Sequence, residues 1–400
     1  MLPEGWTNTK FASGFTSSRE KGSLGLPTLS VTIYGGLVDR DSIDRKMDTN
    51  LDPNEHLLVR KGDIAYNMMR MWQGASGLAE HNALVSPAYV VLRAKKGMDP
   101  LFASYLFKLR HMIHQFWAYS YGLTEDRLRL YPKDFGMIPV ILPPIAEQRR
   151  IAEILSTWDR AIAVQEQLVA NARAQKKALM QTLLTSKKRL PGFKGEWKKV
   201  RLDEVAYIIV SNVDKKSDAD EAPVRLCNYM DVYRADRIEA DMPFMRATAA
   251  PGQIKKFALK VGDVLITKDS ETPDDIAIPS YVASTAPDLV CGYHLAIIRP
   301  KKETDGQFLK FYFEHPHTRY FFGSRANGAT RFGLTVDSIE SAPITLPSLA
   351  EQKRIGETIA VVELEILRLL PMVQTLKQEK SALLQQLLTG KRRVKVEAQA

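Results

Sequence analysis

The sequence predicts an α+β protein laid out as domain, long helix, domain, long helix. The two helices are expected to join in an antiparallel coiled coil, with an internal pseudo-two-fold. Three observations lead there. The phrase LPPIAEQRRI at 142–151 returns as LPSLAEQKRI at 346–355, 204 residues later. With the same offset and no gap, KALMQTLLTSKKR at 177–189 meets SALLQQLLTGKRR at 381–393. The segments between are dissimilar in detail, yet they echo one another at framework positions that mix strand-like apolar runs with short helical stretches such as 99–118.

These repeats divide the chain into a first domain at 1–141, a spacer helix at 142–189, a second domain at 190–345, a second spacer helix at 346–393 and a tail at 394–400. Four hundred residues can hold two or three domains with separate cores. No apolar run approaches the roughly 18–20 residues of a membrane span, and Met1-Leu2-Pro3-Glu4 begins no signal peptide, so a cytoplasmic location is expected. The two cysteines, Cys227 and Cys291, fit a reducing compartment and make no metal-ligand spacing. A formal net charge of +10 favours a polyanionic partner without specifying it.

The first domain supplies a framework that the second repeats. Gly5-Trp6 followed by Phe11 echoes Glu196-Trp197 followed by Leu202, and Lys61-Gly62-Asp63-Ile64 echoes Val261-Gly262-Asp263-Val264 as a turn feeding a strand. YVVLR (89–93) echoes LAIIR (295–299), and SYLF (104–107) echoes KFYF (310–313). NMMRMWQGASG (67–77) does not match TKDSETPDDIA (267–277). One scaffold with two loop sets is what two different readings require.

Each spacer reads as one long helix. Ser348 with Glu351 forms a capping box; in the first copy Pro144 tolerates a first-turn position and Glu147 suits the helix dipole. Ser186 and Gly390 mark the stops. Alternating steps of four and three give Ile151, Leu155, Trp158, Ile162, Gln165, Val169, Ala172, Lys176, Leu179 and Leu183 in the first copy. The second gives Ile355, Ile359, Val362, Ile366, Leu369, Val373, Leu376, Lys380, Leu383 and Leu387. Nearly all are apolar, in the same frame, which is a coiled-coil seam. So narrow a stripe needs a partner, and the duplicate is at hand. The alternative is two separate amphipathic helices, each covering its own domain.

PPIAEQRRIAEIL…LLTSKKR followed by LPGFKGEW, with the helix phrase repeated near the C-terminus, resembles the specificity subunit of type I restriction–modification enzymes over essentially the whole chain. MRMWQGASG with VSPAYVV, and LITKDSE with CGYHLAIIRP, are similar to phrases in the target recognition domains of that family. The resemblance implies that each domain reads one half of a split double-stranded DNA site. The helices would hold the halves apart and dock two methyltransferase subunits, with restriction/translocase subunits completing the assembly. It also implies that S-adenosylmethionine, ATP and Mg serve those partners, with no cofactor bound by this chain.

A catalytic reading finds no support. Ser86-Pro87-Ala88-Tyr89 lacks the second proline of an amino-methyltransferase motif, and no glycine-rich loop is placed for a cofactor. Thr389-Gly390-Lys391 lacks the preceding glycine of a phosphate loop. His315-Pro316-His317 reads as a surface loop, Glu271, Asp274 and Asp275 lack a nuclease lysine, and no metal site is expected.

Base readout uses bidentate side chains on loops, with cations and hydroxyls on phosphates. The first domain offers Arg70, Trp72 and Gln73, then Tyr121, Thr124, Arg127, Arg129 and Lys133. Trp72 equally fits a core position. The second offers Lys268, Asp269 and Ser270, then Arg325, Asn327, Thr330 and Arg331, where small residues between arginines allow close approach to phosphate. His294 reads as a core histidine, and Lys187-Lys188-Arg189 and Lys391-Arg392-Arg393 as helix-end charge compensation. A non-catalytic DNA-recognition subunit accounts for these features; a self-contained two-module DNA-binding regulator is the alternative.

Overall fold

The computed structural model describes residues 3–43 and 51–396; Met1 and Leu2 of the N-terminal reading and residues 397–400 of the expected tail lie outside them. The chain forms two compact units, Met1–Gln165 with Met372–Ala400, and Glu166–Pro371. The long helices, Ile145–Leu183 and Leu349–Leu388, are therefore not separate domains, since each contributes one half to each unit.

Both helices begin later than the repeat itself. Leu142 ends strand Pro139–Leu142, which pairs antiparallel with Thr7–Lys10; Leu346 ends Pro343–Leu346, which pairs with Lys198–Arg201. Prolines then break the strands, and the Pro144 and Ser348 carbonyls accept the first helical bonds from Gln148 and Gln352 at 3.0 and 2.9 Å. The helices stop at Leu183 and Leu388, short of 189 and 393, and Ser186 (φ 55°) and Gly390 (φ 70°) turn left-handed just beyond.

Every seam position, from Ile151 to Leu183 and from Ile355 to Leu387, is buried or half-buried. The polar members each find a partner on the facing helix. In the first unit Lys380 pairs with Asp159, and Gln165 Nε2 lies 3.8 Å from Met372 Sδ. In the second, Lys176 Nζ sits 2.7 Å from Glu363. Rising numbers on one helix meet falling numbers on the other, so the pairing is antiparallel.

The repeated Glu-Gln explains the doubled phrase. Glu147 is buried and accepts from Trp6 Nε1 at 3.2 Å and from Arg393 at 2.8 and 2.9 Å; Glu351 is buried and accepts twice from Arg189 at 2.5 Å. These carboxylates are not merely dipole or capping groups, and Arg189 and Arg393 are not merely end compensation. Each arginine, trailing one helix, locks onto the first turn of the other. Of the expected capping box only the Ser348 hydroxyl remains, accepting from Glu351 N at 3.4 Å.

The neighbouring glutamines hold the domains. Gln148 Oε1 accepts from Asp99 N at 2.9 Å while its Nε2 donates to Gly97 and Pro143 carbonyls; Gln352 makes the same three bonds to Asp305, Glu303 and Pro347. Asp99 and Asp305 in turn cap helices Pro100–Leu106 and Gly306–Glu314.

In the first unit a four-stranded sheet holds Phe15–Ser18, Tyr89–Ala94, Ile64–Asn67 and Ser76–Leu78. A second holds Gly36–Asp39, Thr28–Thr32, Ala83–Val85 and Leu57–Val59. The second unit has a five-stranded sheet, which adds Arg237–Ile238 at its edge, and a three-stranded one. The Gly-Asp turns serve the same purpose twice. Asp63 accepts from Arg60 N and from Arg93, and Asp263 from Lys260 N and Arg299, while Gly62 and Gly262 sit at φ 90° and 94°.

One buried ionic cluster belongs to the second unit. Lys310, fully buried, reaches Glu363, Glu314 at 2.5 Å and Asp236 at 3.3 Å, and Lys176 reaches Glu314 at 2.8 Å. Asp236, Glu314 and Glu363 bring carboxylate oxygens within 4.8 Å of one another, and the two ammonium groups supply their counter-charge. Burial pushes the Glu314 carboxyl up against the pull of Lys310 and Lys176. At Asp236 burial acts in the same sense, but the two lysines outweigh it and hold the carboxyl below its ordinary value.

Two predictions follow from these contacts. Gln148→Leu and Gln352→Leu each remove three bonds to half-buried or buried backbone groups, and each should destabilise its own unit by about 1–3 kcal/mol in denaturant unfolding. Lys310→Met leaves three acids to one lysine and should cost about 3–5 kcal/mol by the same measurement.

Candidate nucleic-acid interface

In each unit a framework strand ends in a loop, and one backbone bond ties that loop to a later hairpin. In the first unit, strand Ile64–Asn67 leads into the tight turn Met71–Gln73, and Leu130 N donates to the Met68 carbonyl at 2.9 Å. In the second, strand Val264–Thr267 leads to Lys268, whose carbonyl accepts from Leu334 N at 2.9 Å. The pairing of Asp269–Ser270 with Phe332–Gly333 strengthens that contact. Each unit therefore brings its two candidate stretches together.

The hairpins share their geometry. Tyr121 and Arg129 exchange backbone bonds at 3.0 and 2.9 Å, as do Asn327 and Gly333. A Cβ on Gly122 would lie 2.6 Å from the Arg127 carbonyl oxygen, and one on Gly328 (φ 153°) 1.9 Å from that of Arg331, so both turns demand glycine.

The hairpin side chains face solvent. Tyr121, Thr124, Arg127 and Arg129 are exposed, as is Lys133 on helix Pro132–Met137; in the second unit Arg325, Asn327, Thr330 and Arg331 are exposed. Among the described residues, the charged groups of Arg127, Arg129, Lys133 and Arg331 have no hydrogen-bond or ion-pair partner, which leaves them available to phosphate or guanine. The Arg325 guanidinium lies over the Phe321 ring, 5.2 Å from its centroid.

The strand-end loops are more committed to the protein itself. Arg70 is exposed and donates to Gln73 Oε1 at 3.3 Å. Trp72 is half-buried and spends its only donor on the Met69 carbonyl at 3.0 Å, so it serves the turn and offers DNA a ring face alone. Ser270 is buried and accepts from Thr272 N at 3.2 Å, a turn-former instead of an exposed reader. Asp269 is held by His294 and lies 3.6 Å from Lys268 Nζ.

His294 is therefore no core histidine. It is half-buried at φ 73°, with Nδ1 on Asp269 and its ring 3.3 Å from that of Tyr293. Tyr229 and Tyr233 also escaped the sequence reading. Their rings stack at 5.7 Å, and the Tyr233 hydroxyl donates to Asp275 at 2.7 Å, beside the strand-end loop. Their spacing of four on one helix was the available signal. His315 is an N-cap of helix Pro316–Arg325, accepting from His317 N, in place of the expected loop. Ser86 accepts from Ala88 N at 3.3 Å in the turn before strand Tyr89–Ala94.

Comparison with known proteins bears on this arrangement. The type I restriction modification DNA specificity domain family matches residues 30–172 and 194–370. The putative type I restriction enzyme MjaX specificity subunit of Methanocaldococcus jannaschii is 23% identical, over 98% of this chain and 95% of its own length. The MjaVIII specificity subunit of the same organism is 24% identical, over 86% and 82%. Among solved structures, the type I restriction–modification S subunit from M. genitalium has the same fold, with a TM-score of 0.62 at 14% identity and 97% of each chain covered. A chain from work on complex assembly and conformational transition of the type I R-M system gives 0.53 at 19%, covering 98% of this chain and all of its own. With two matched stretches that span most of its length, this chain belongs to the type I restriction–modification DNA specificity family, and it is a DNA-recognition component and not a catalyst.

Proposed function

We propose that the first unit reads one half of a split double-stranded DNA site and the second unit reads the other. The observation that carries this is the shared bond, Leu130 N to Met68 O and Leu334 N to Lys268 O, which positions different side chains on one repeated frame. Either reader alone would bind weakly; covalent linkage raises the effective concentration of the second.

The paired helices serve in this reading as the spacer and as the dock for partner chains. Those partners are two methyltransferase subunits and restriction/translocase subunits; similarity to a chain from work on complex assembly of the type I R-M system supports a partner-bound role. S-adenosylmethionine, ATP and Mg belong to those partners, and this chain binds none of them. The work is cytoplasmic. Among the described residues no helix is long and apolar enough to cross a membrane, and the buried free thiols Cys227 and Cys291 suit a reducing compartment.

Methylation-aware sequencing of the host genome, with and without this gene, should show a methylated split motif that vanishes with the gene. Tight sequence-specific binding by the isolated chain, with no methyltransferase co-purifying, would instead support the self-contained regulator.

Replacing Arg325 and Arg331 by Ala should relax one half-site only. About 1–3 kcal/mol is expected per true base contact, against a sequence-independent loss with a smaller salt slope for phosphate contacts. Selection of bound sequences distinguishes the two, and joint relaxation of both half-sites would refute separate readers. Inserting seven residues at matched points in both helices keeps the seam frame and adds roughly 10 Å. The preferred spacing should then grow by about three base pairs, at about 3.4 Å per pair, with some loss of affinity. Unchanged spacing in a folded, assembled variant would show that the helices do not set it.

A further inference from the structure

A single lysine in the first unit bonds to three carbonyls on two separate stretches of backbone. Lys108 Nζ donates to the Gly74 carbonyl at 2.8 Å, to Ser76 at 3.0 Å and to Ile33 at 3.4 Å. An ammonium group has three donors and no acceptor, so these bonds use its full capacity. Among the described residues no carboxylate pairs with it. The other charged side chains lining its crevice, Arg110, Lys377 and Lys380, are cations, and Lys380 is engaged by Asp159. The side chain as a whole is exposed, and only the partial burial of its ammonium pulls it below the ordinary lysine range.

The three acceptors are informative. Gly74 (φ 86°) closes the turn that displays Arg70 and Gln73, and Ser76 opens the next strand, Ser76–Leu78. Ile33 leads into Tyr34, which is 99% exposed in the turn between strands Thr28–Thr32 and Gly36–Asp39. There the two backbones nearly touch, since a Cβ on Gly77 would fall 2.3 Å from Leu37 N. A lysine placed here binds the tyrosine hairpin to the reading turn.

The second unit lacks the device. Where SYLFK runs at 104–108, it has KFYFE at 310–314, and Glu314 is turned into the ionic cluster with Lys310 and Lys176. We propose that Lys108 is a positioning residue for the first reader alone. It fixes the Tyr34 hairpin and the Arg70–Gln73 turn as one surface and makes Tyr34 an additional DNA contact of that half-site. The inference rests on the reading that this turn faces DNA.

The test uses the full chain assembled with its methyltransferase partner, with bound DNA selected from a random pool. The variants are Lys108→Met, Tyr34→Ala and the double Arg70→Ala, Gln73→Ala. The expected result is that all three weaken base preference at the same half-site, Lys108→Met by about tenfold, and leave the other half-site intact. Amide hydrogen exchange should also quicken across residues 33–36 and 70–76 in Lys108→Met. If the double variant affects one half-site while Lys108→Met and Tyr34→Ala do not, the inference is wrong and the reading turn stands. Equal losses at both half-sites in Lys108→Met would reveal a purely structural lysine and overturn it too. Should Lys108→Met fail to fold, unchanged selection by the surface variant Tyr34→Ala overturns it alone. No effect of the double variant at either half-site would bring down the reading turn itself, and this inference with it.

Discussion

A helix of about forty residues with one narrow apolar stripe leaves that stripe in water unless a partner covers it, and that constraint organises this protein. The stripe must meet another of equal length, and the chain supplies one by repetition. Antiparallel pairing then follows from the bonds at the ends, where Arg393 returns to Glu147 and Arg189 returns to Glu351. Those carboxylates are too deeply buried to stand without their arginines, so register and direction are penalised heavily if wrong. The seam lysines repeat the device further in, with Lys380 on Asp159 and Lys176 on Glu363.

Once the helices are locked, the adjacent glutamines transmit that order to the rest of each unit. Gln148 and Gln352 satisfy backbone groups ahead of the helix caps Asp99 and Asp305, which anchors a helix of each domain to the spacer. The framework strands and their Gly-Asp turns complete a platform that recurs with the same bonds. Against so constant a frame, the loops are free to differ. The first unit displays arginines on a nine-residue hairpin from Tyr121 to Arg129; the second uses a shorter one from Asn327 to Gly333. Those loops can differ without disturbing the seam.

The parts of this structure that rest on local periodicity were legible in the sequence. The seam positions follow from steps of four and three, and the second unit's hairpin was marked by small residues between Arg325 and Arg331. Contacts between distant residues were not. Nothing near Glu147 announces Arg393, 246 residues away, so a helix-dipole role was the natural reading. His294 resembled a core residue because its partner Asp269 lies on another strand, and Ser270 resembled a reader because burial of a loop serine has no pattern of its own. Lys108 looked like any surface lysine, since its three acceptors are backbone carbonyls and carry no sequence signal.

Selecting bound DNA from a random pool with the wild-type assembly tests most directly the proposal that each unit reads one half of a split site. The account predicts two short specified tracts separated by an unspecified gap of one fixed length. A single continuous specified tract, or two tracts at freely varying separation, would contradict it.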